Sequence, residues 1–198
     1  MCTEDRFFFF ALSTIPSLLG ANTEEIVRGV LDGTLAIGLI EGPSLHRDVA
    51  EEPFVADEIV AVVPSTHEWA GQQVEVQQLY KAPLILREKG SGTRRVVEAA
   101  LKAAGIQMKH TRIIMELDST EAIKSAVEAG LGVGFVSRRA IKKEEKLDTL
   151  RKAHVANLGI LRTFAITYPR GPEPRGAAGV FLRFLREKRD QAPSKKGR

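Results

Sequence analysis

The sequence predicts an α/β fold, in which strands and helices alternate along the chain. Continuous apolar runs, typical of strands covered on both faces, occur at residues 35–40, 59–63, 84–86 and 133–136. The segments between them carry apolar residues at helical spacing, and several begin at a cap residue or end at glycine. This order indicates a largely parallel sheet, in which ligands collect at the carboxyl ends of the strands.

Two of the helices have clear starts and stops. Asn22 is a predicted N-cap because Glu25 follows at capping-box spacing, and Gly33 is expected to end that helix. Asp118 and the carboxylate three residues later have the same spacing, and Gly130 is expected to close the helix that follows. Both helices therefore begin next to a polar turn.

The remaining segments are less regular. Strands are predicted at residues 112–117 and 161–168, a short helix at 137–143, and a helix at 177–186 whose apolar residues recur at helical spacing. Residues 144–157 are charged and without a clear period, so we expect them to be irregular.

A glycine-rich turn links the strand at 84–86 to the next helix. Gly90 and Gly92 allow sharp backbone turns, and Ser91 and Thr93 are N-cap residue types. Free N–H groups at the start of a helix can bind a small anion, and two arginines follow in the first turn. The same residues equally suit a plain helix cap, and the turn alone does not decide between the two.

Charge and cysteine content exclude several classes of protein. The net charge of +4 comes from the end of the chain, because seven Lys and Arg face two acidic residues between Arg183 and Arg198. A solvated tail therefore explains the excess better than a DNA-binding face. Cys2 is the only cysteine, and the four histidines have no ligand spacing, so we expect no disulfide, metal or cofactor and a cytoplasmic location. No apolar run approaches the roughly 20 residues that span a bilayer.

Three blocks in register resemble a known family. They are NTEEI at 22–26 with LIEG at 39–42, LREKGSGTR at 86–94, and DSTEAIK at 118–124 with GLGVGFVS at 130–137. Together they are similar to the effector-binding domain of LysR-type transcriptional regulators, from about Asn22 to Arg186. The resemblance implies a type 2 periplasmic-binding-protein fold, with two α/β lobes joined by two crossover hinge strands.

The resemblance also implies where the lobes lie. Lobe one would hold residues 11–64 plus 169–188, and lobe two residues 83–162, with hinge strands near 60–63 and 164–168. Residues 189–198 would form a disordered basic tail. Family members usually form homodimers or homotetramers, and the effector lies in the cleft between the lobes.

The effector-binding residues are carried over by position. In the family, hydroxyls and backbone N–H groups at helix starts hold the effector. The corresponding residues here are Ser13 and Thr14 after the first strand, Thr23 at the next junction of lobe one, Ser91, Gly92 and Thr93 in the glycine-rich turn, and Ser119 and Thr120 at the later junction of lobe two. These groups suit a small anionic metabolite.

The sequence departs from the family pattern at its start. No helix-turn-helix precedes the matching blocks, so we expect no direct DNA binding by this chain. Only seven residues separate Thr14 from Asn22, where the family has a helix and a strand, so lobe one is expected to be incomplete. A solute-binding protein for small anions is the first alternative. An enzyme on a two-lobed scaffold is the second, although no catalytic cluster or G-x-S-x-G elbow supports it.

Overall fold

The computed structural model describes residues 19–44 and 46–191. The strands, in chain order, are β1 (Gly38–Glu41), β2 (Val49–Pro64), β3 (Gln73–Val74), β4 (Pro83–Arg87), β5 (Arg112–Leu117), β6 (Val133–Ser137), β7 (Leu150–Val155) and β8 (Ile160–Pro169). The α-helices are α1 (Thr23–Leu31), α2 (Gly92–Ala103), α3 (Thr120–Glu128), α4 (Lys142–Leu147) and α5 (Gly176–Gln191). Two short 3-10 helices lie at Val76–Tyr80 and Met108–His110.

The sheet is mixed, and its main order is β1-β8-β2-β6-β4-β5. Strand β4 pairs parallel with β5 and β6, as the alternating pattern predicts. Strand β2 pairs antiparallel with β6, β7 and β8, and β1 pairs antiparallel with β8. The expectation of a largely parallel sheet is therefore wrong, because β2 and β8 are long neighbouring strands that run in opposite directions.

Strand β2 is much longer than the apolar run that predicts it. The run covers residues 59–63, whereas the strand begins at Val49 and pairs with β8 along most of its length. The early half escapes a search for apolar runs because it contains Pro53 and several carboxylates, and the pairing register shifts between Pro53 and Val55.

Two hydrophobic regions lie on either side of the paired segment of β2 and β8. One contains buried residues of β4, β6, α2 and α3, among them Leu84, Leu101, Ile123 and Phe135. The other contains α1, β1 and α5 residues, among them Val30, Ile40 and Leu182. Two packed regions joined by two crossing strands are the arrangement that the resemblance implies, and the bounds predicted for the lobes and hinges stay a prediction.

The segment at residues 144–157 is ordered, so its prediction as irregular is wrong. It contains most of α4 and the whole of β7. Asp148 ends α4 in the left-handed conformation, with φ of 56°. In β7, Leu150 and Ala153 are buried, and the strand lies between β2 and β3. Backbone pairing with β2 on one edge and β3 on the other stabilises β7 as a strand despite its charged residues.

Helix starts follow the predicted capping chemistry with one change. Asn22 accepts from the Glu25 backbone N–H at 3.0 Å, and the Glu25 carboxylate accepts from the Asn22 N–H at 3.0 Å, which confirms the capping box. At α3 the N-cap is Ser119, not Asp118, because the Ser119 hydroxyl accepts from the Ala122 N–H at 3.1 Å.

At the other end of the chain, α5 continues to Gln191, three residues into the predicted tail. No helix in the described ranges is long and apolar enough to cross a lipid bilayer.

Helix α5 is tied to β2 through Glu52. The Glu52 carboxylate accepts from Arg186 Nε at 2.9 Å, from the Tyr168 hydroxyl at 2.7 Å and from Arg189 Nη1 at 3.3 Å. The Arg186 guanidinium, helped by the Tyr168 hydroxyl, lowers the pKa of Glu52 from 4.5 to about 2. The charged form of Glu52 therefore stabilises the fold.

We expect this carboxylate to give the domain part of its sensitivity to acid. A depressed folded-state pKa contributes stability above pH 4.5 that is lost as the pH falls towards about 2. Between pH 5 and pH 3 the wild type should lose about 2 kcal/mol more unfolding free energy than Glu52→Gln does. Urea unfolding at both pH values measures this difference, and equal losses in the two proteins would contradict it.

Candidate functional site

A cleft of about 340 Å³ opens where the starts of α1 and α2 meet the end of β1 and the paired strands β2 and β8. Its lining residues come from all of these elements and from β4: Ala21, Asn22, Thr23, Leu39, Glu41, Phe54, Val55, Arg87, Ser91, Gly92 and Phe164. Two helix N-termini therefore share one cavity with apolar side chains from the crossing strands. Such concave, mostly apolar sites with a few polar groups are typical of small-molecule binding.

A buried arginine lies next to the cleft. The Arg162 side chain in β8 is 4% exposed, and its Nε and Nη2 both lie 2.8 Å from Asp57 Oδ2 in β2. Asp57 is 1% exposed and also accepts from the Ser137 hydroxyl at 2.9 Å. The guanidinium packs over the Phe164 ring at 4.6 Å, so Phe164 covers one of its faces and Asp57 holds one of its edges.

The third nitrogen of this guanidinium points to the start of α2. Arg162 Nη1 lies 2.7 Å from Glu41 Oε2 and donates to the Thr93 hydroxyl at 2.6 Å. The Thr93 hydroxyl in turn donates to Glu41 Oε2. A carboxylate thus lies at the positive end of a helix dipole and beside a buried guanidinium, which is the setting that favours an anion.

Gly92 allows the start of α2 to approach the end of β1. A Cβ at this position would overlap the carbonyl group of Glu41 and would lie 2.6 Å from Thr23 Oγ1. The Thr23 hydroxyl is itself 3.4 Å from both the backbone N and the carbonyl O of Glu41. The starts of α1 and α2 and the end of β1 therefore meet at Gly92.

The two arginines in the first turn of α2 have partners within the protein. Arg94 is 8% exposed, with Nε 2.7 Å from Glu98 and Nη1 2.8 Å from Glu116. Arg95 donates to the carbonyl of Pro43 at 3.2 Å. Arg94 therefore links the first turn of α2 to Glu98 in the same helix and to Glu116 in β5. Arg95 links α2 to the turn after β1.

The structure brings together half of the residues predicted for the site. Thr23, Ser91 and Gly92 line the cleft, and Thr93 forms its contacts with Glu41 beside it. Ser119 and Thr120 begin α3 and are not among the residues that line the cleft. Ser13 and Thr14 lie outside the described residues. A role in effector binding stays a prediction for all eight.

Sequence reasoning missed the charged residues beside the cleft. Arg162 contacts Asp57 and Glu41, which precede it by 105 and 121 positions, and no local motif indicates such pairs. One local signal was present for Arg162, because it interrupts a run of strand formers at 160–168. A charge within a strand that is otherwise apolar requires a partner.

The described residues contain no group of three or more His, Cys, Asp or Glu side chains arranged to hold a metal ion.

The sequence matches the profile of the LysR substrate binding domain over residues 16–190. The chain belongs to the LysR substrate-binding domain family. The match covers most of the chain and includes every residue described around the cleft.

A curated relative supports this membership. The chain is 38% identical over 163 residues to a protein named uncharacterized HTH-type transcriptional regulator YeiE, from Escherichia coli K12. The match covers 82% of this chain and 55% of that protein. The chain thus spans about half the length of the curated relative that it matches.

Solved structures show the fold. The Synechocystis PCC6803 CcmR regulatory domain, in complex with 2-PG, superposes with a TM-score of 0.80 at 24% identity, covering 96% of this chain and 93% of that one. The effector binding domain of QuiR, in complex with shikimate, superposes with a TM-score of 0.79 at 14% identity, covering 96% and 91%. The fold is therefore the type 2 periplasmic-binding-protein-like arrangement of LysR regulatory domains, as the resemblance implies.

Proposed function

We propose that this chain is the effector-sensing domain of a LysR-type transcriptional regulator and that it binds a small anionic metabolite in the cleft. The observation that carries the proposal is the convergence of Thr93, Arg162 and the N-terminus of α2 on one carboxylate, that of Glu41. Helix N-termini and buried guanidinium groups favour negative charge, so the same groups suit the carboxylate or phosphate of a ligand.

The ligands of two neighbours support an anion. The CcmR regulatory domain is described with 2-PG (2-phosphoglycolate), and the QuiR domain with shikimate. Both ligands carry a carboxylate at neutral pH, and 2-phosphoglycolate also carries a phosphate. The apolar part of the cleft, formed by Phe54, Val55 and Phe164, would contact the carbon skeleton of such a molecule.

Sensing would operate by a shift between two arrangements of the lobes. A ligand that contacts both the start of α2 and either the start of α1 or the end of β1 favours the arrangement in which these elements are close. The ligand changes the equilibrium only as far as its affinities for the two arrangements differ. We propose that subunit contacts in a homodimer or homotetramer transmit this shift to the rest of the regulator. We also propose that the domain works in the cytoplasm and performs no catalysis.

A solute-binding protein on the same fold is the first alternative for the cleft. It would bind the same class of anions but would act without a DNA-binding partner segment. Family membership favours the regulator, because the curated relative is named as a transcriptional regulator and the matching family is that of LysR proteins.

Isothermal titration of the whole chain with 2-phosphoglycolate and with shikimate tests the proposal. We expect heat from at least one of them, and about tenfold weaker binding in Ser91→Ala, because Ser91 lines the cleft and a hydrogen bond to a charged group is worth about 1.5 kcal/mol. Thr111→Ala is the matched control. The Thr111 hydroxyl donates to the Met108 carbonyl at 2.7 Å, and this residue is not among those that line the cleft.

The binding measurement has two outcomes that would count against the proposal. One is the absence of heat with these ligands and with other small carboxylates and phosphates, from a chain whose far-UV spectrum shows it to be folded. The other is equal weakening by Ser91→Ala and Thr111→Ala, which would mean that the variants act through stability. The loss of the Ser91 cap by itself should cost only about 1 kcal/mol.

A further inference from the structure

Glu41 lies in the place where the anionic group of an effector would bind. Its Oε2 atom is 2.7 Å from Arg162 Nη1 and accepts from the Thr93 hydroxyl, next to the first residues of α2. A guanidinium, a hydroxyl and a helix N-terminus are the groups that proteins use to hold a ligand carboxylate or phosphate. In this protein the Glu41 carboxylate contacts these groups in the position of a ligand anion.

Glu41 occupies the only edge of the Arg162 guanidinium that Asp57 does not already hold. Asp57 already balances the guanidinium with two 2.8 Å contacts, and Glu41 adds a second carboxylate. Arg87, the cation among the residues that line the cleft, is paired with Glu88 at 2.9 Å. A ligand anion at Arg162 Nη1 would compete with the Glu41 carboxylate for the same donor and be repelled by it, so a bound anion requires that Glu41 moves away.

Glu41 borders solvent, whereas Asp57 does not. The Glu41 side chain is 31% exposed, while that of Asp57 is 1% exposed. Glu41 is also the last residue of β1, and Gly42 after it has φ of 79°. When Glu41 turns towards solvent, Asp57 and the Phe164 ring still hold Arg162 in place with one edge open to the cleft.

We propose that Glu41 is an internal competitor of the effector, which must displace its carboxylate from Arg162 and Thr93. This inference rests on the proposed function and adds to it a class of ligand and a means of regulation. Only a ligand with a carboxylate or phosphate of its own replaces the lost contacts, so neutral molecules are rejected. Because Glu41 also joins β1 to α2, its release changes the contact between the lobes when the anion arrives.

Inorganic phosphate is the simplest probe of this competition. Glu41→Gln keeps the size of the side chain and a hydrogen-bond acceptor but removes its charge, and hydrogen bonds to charged groups are about twice as strong as neutral ones. We expect phosphate to bind Glu41→Gln about tenfold more tightly than the wild type at constant ionic strength and pH 7.5. Glu58→Gln is the matched control, because Glu58 is paired with exposed Arg138 at 2.9 Å, and it should bind as the wild type does.

Each result of this titration decides the inference. Tighter binding by Glu41→Gln alone supports it. If the variant binds phosphate no better than the wild type, while the wild type responds to 2-phosphoglycolate or shikimate, the competitor role is overturned and the proposed function stands. If neither protein binds any of these anions, both fall. Glu41→Ala, which removes the carboxylate altogether, provides the same comparison if Glu41→Gln does not fold.

Discussion

Arg162→Met is expected to lower the free energy of unfolding by about 3–5 kcal/mol. Methionine keeps most of the length of the side chain but leaves Asp57 without its two 2.8 Å contacts to the guanidinium. Asp57 is 1% exposed, so its carboxylate would remain buried with only the Ser137 hydroxyl at 2.9 Å and Arg139 at 3.9 Å. An unpaired charge that stays out of water is among the most destabilising changes in a protein interior.

The loss of stability in Arg162→Met should come from the unpaired charge of Asp57 and not from the change in side-chain size. Adding Asp57→Asn to Arg162→Met removes the unpaired charge, and we expect it to restore at least about 1–2 kcal/mol. Arg138→Met, which breaks the exposed pair with Glu58, should cost less than about 1 kcal/mol. Urea unfolding of the four proteins measures these values, and a loss below 1 kcal/mol in Arg162→Met would contradict the role of the buried pair.

Gly92→Ala is expected to weaken effector binding by more than about tenfold and to destabilise the fold by about 1–3 kcal/mol. A Cβ at residue 92 overlaps the Glu41 carbonyl, which is backbone and cannot turn aside. The start of α2 and the end of β1 must therefore separate. This loss opposes the helix propensity of alanine, which by itself would stabilise α2.

Gly159→Ala is the matched control for this variant. Nothing lies within 4 Å of a Cβ on Gly159, and its backbone needs no left-handed conformation. We expect Gly159→Ala to bind as the wild type does and to change stability by less than about 0.5 kcal/mol. Unaltered affinity in Gly92→Ala would mean that the approach of α2 to β1 is not needed for binding.

The parts of this fold that local chemistry determines could be read from the sequence. The capping box at Asn22, the N-cap at Ser91 and the glycine-rich turn before α2 depend on residues within a few positions of one another. The buried strands β4 and β6 are continuous apolar runs. The family resemblance, carried by three such local blocks, then led to the fold and to the cleft.

The parts that depend on distant partners could not be read in this way. Strand β7 has a charged composition and forms because β2 and β3 flank it. Arg162, Asp57 and Glu41 come from three separate strands, and only the folded sheet brings them together. Trp69 follows a turn in the sequence but is 7% exposed in the core, because residues from several elements pack around it.

Backbone amide NMR of the whole chain during titration with 2-phosphoglycolate and shikimate tests the central claim most directly. If the cleft binds the anion, the amide signals of Thr23, Gly92 and Thr93, together with the Nε–H signal of Arg162, should shift first and saturate together. Signals of β7, such as that of Lys152, should stay unchanged. Shifts confined to residues away from the starts of α1 and α2, or none with either anion, would contradict the assignment of this cleft as the effector site.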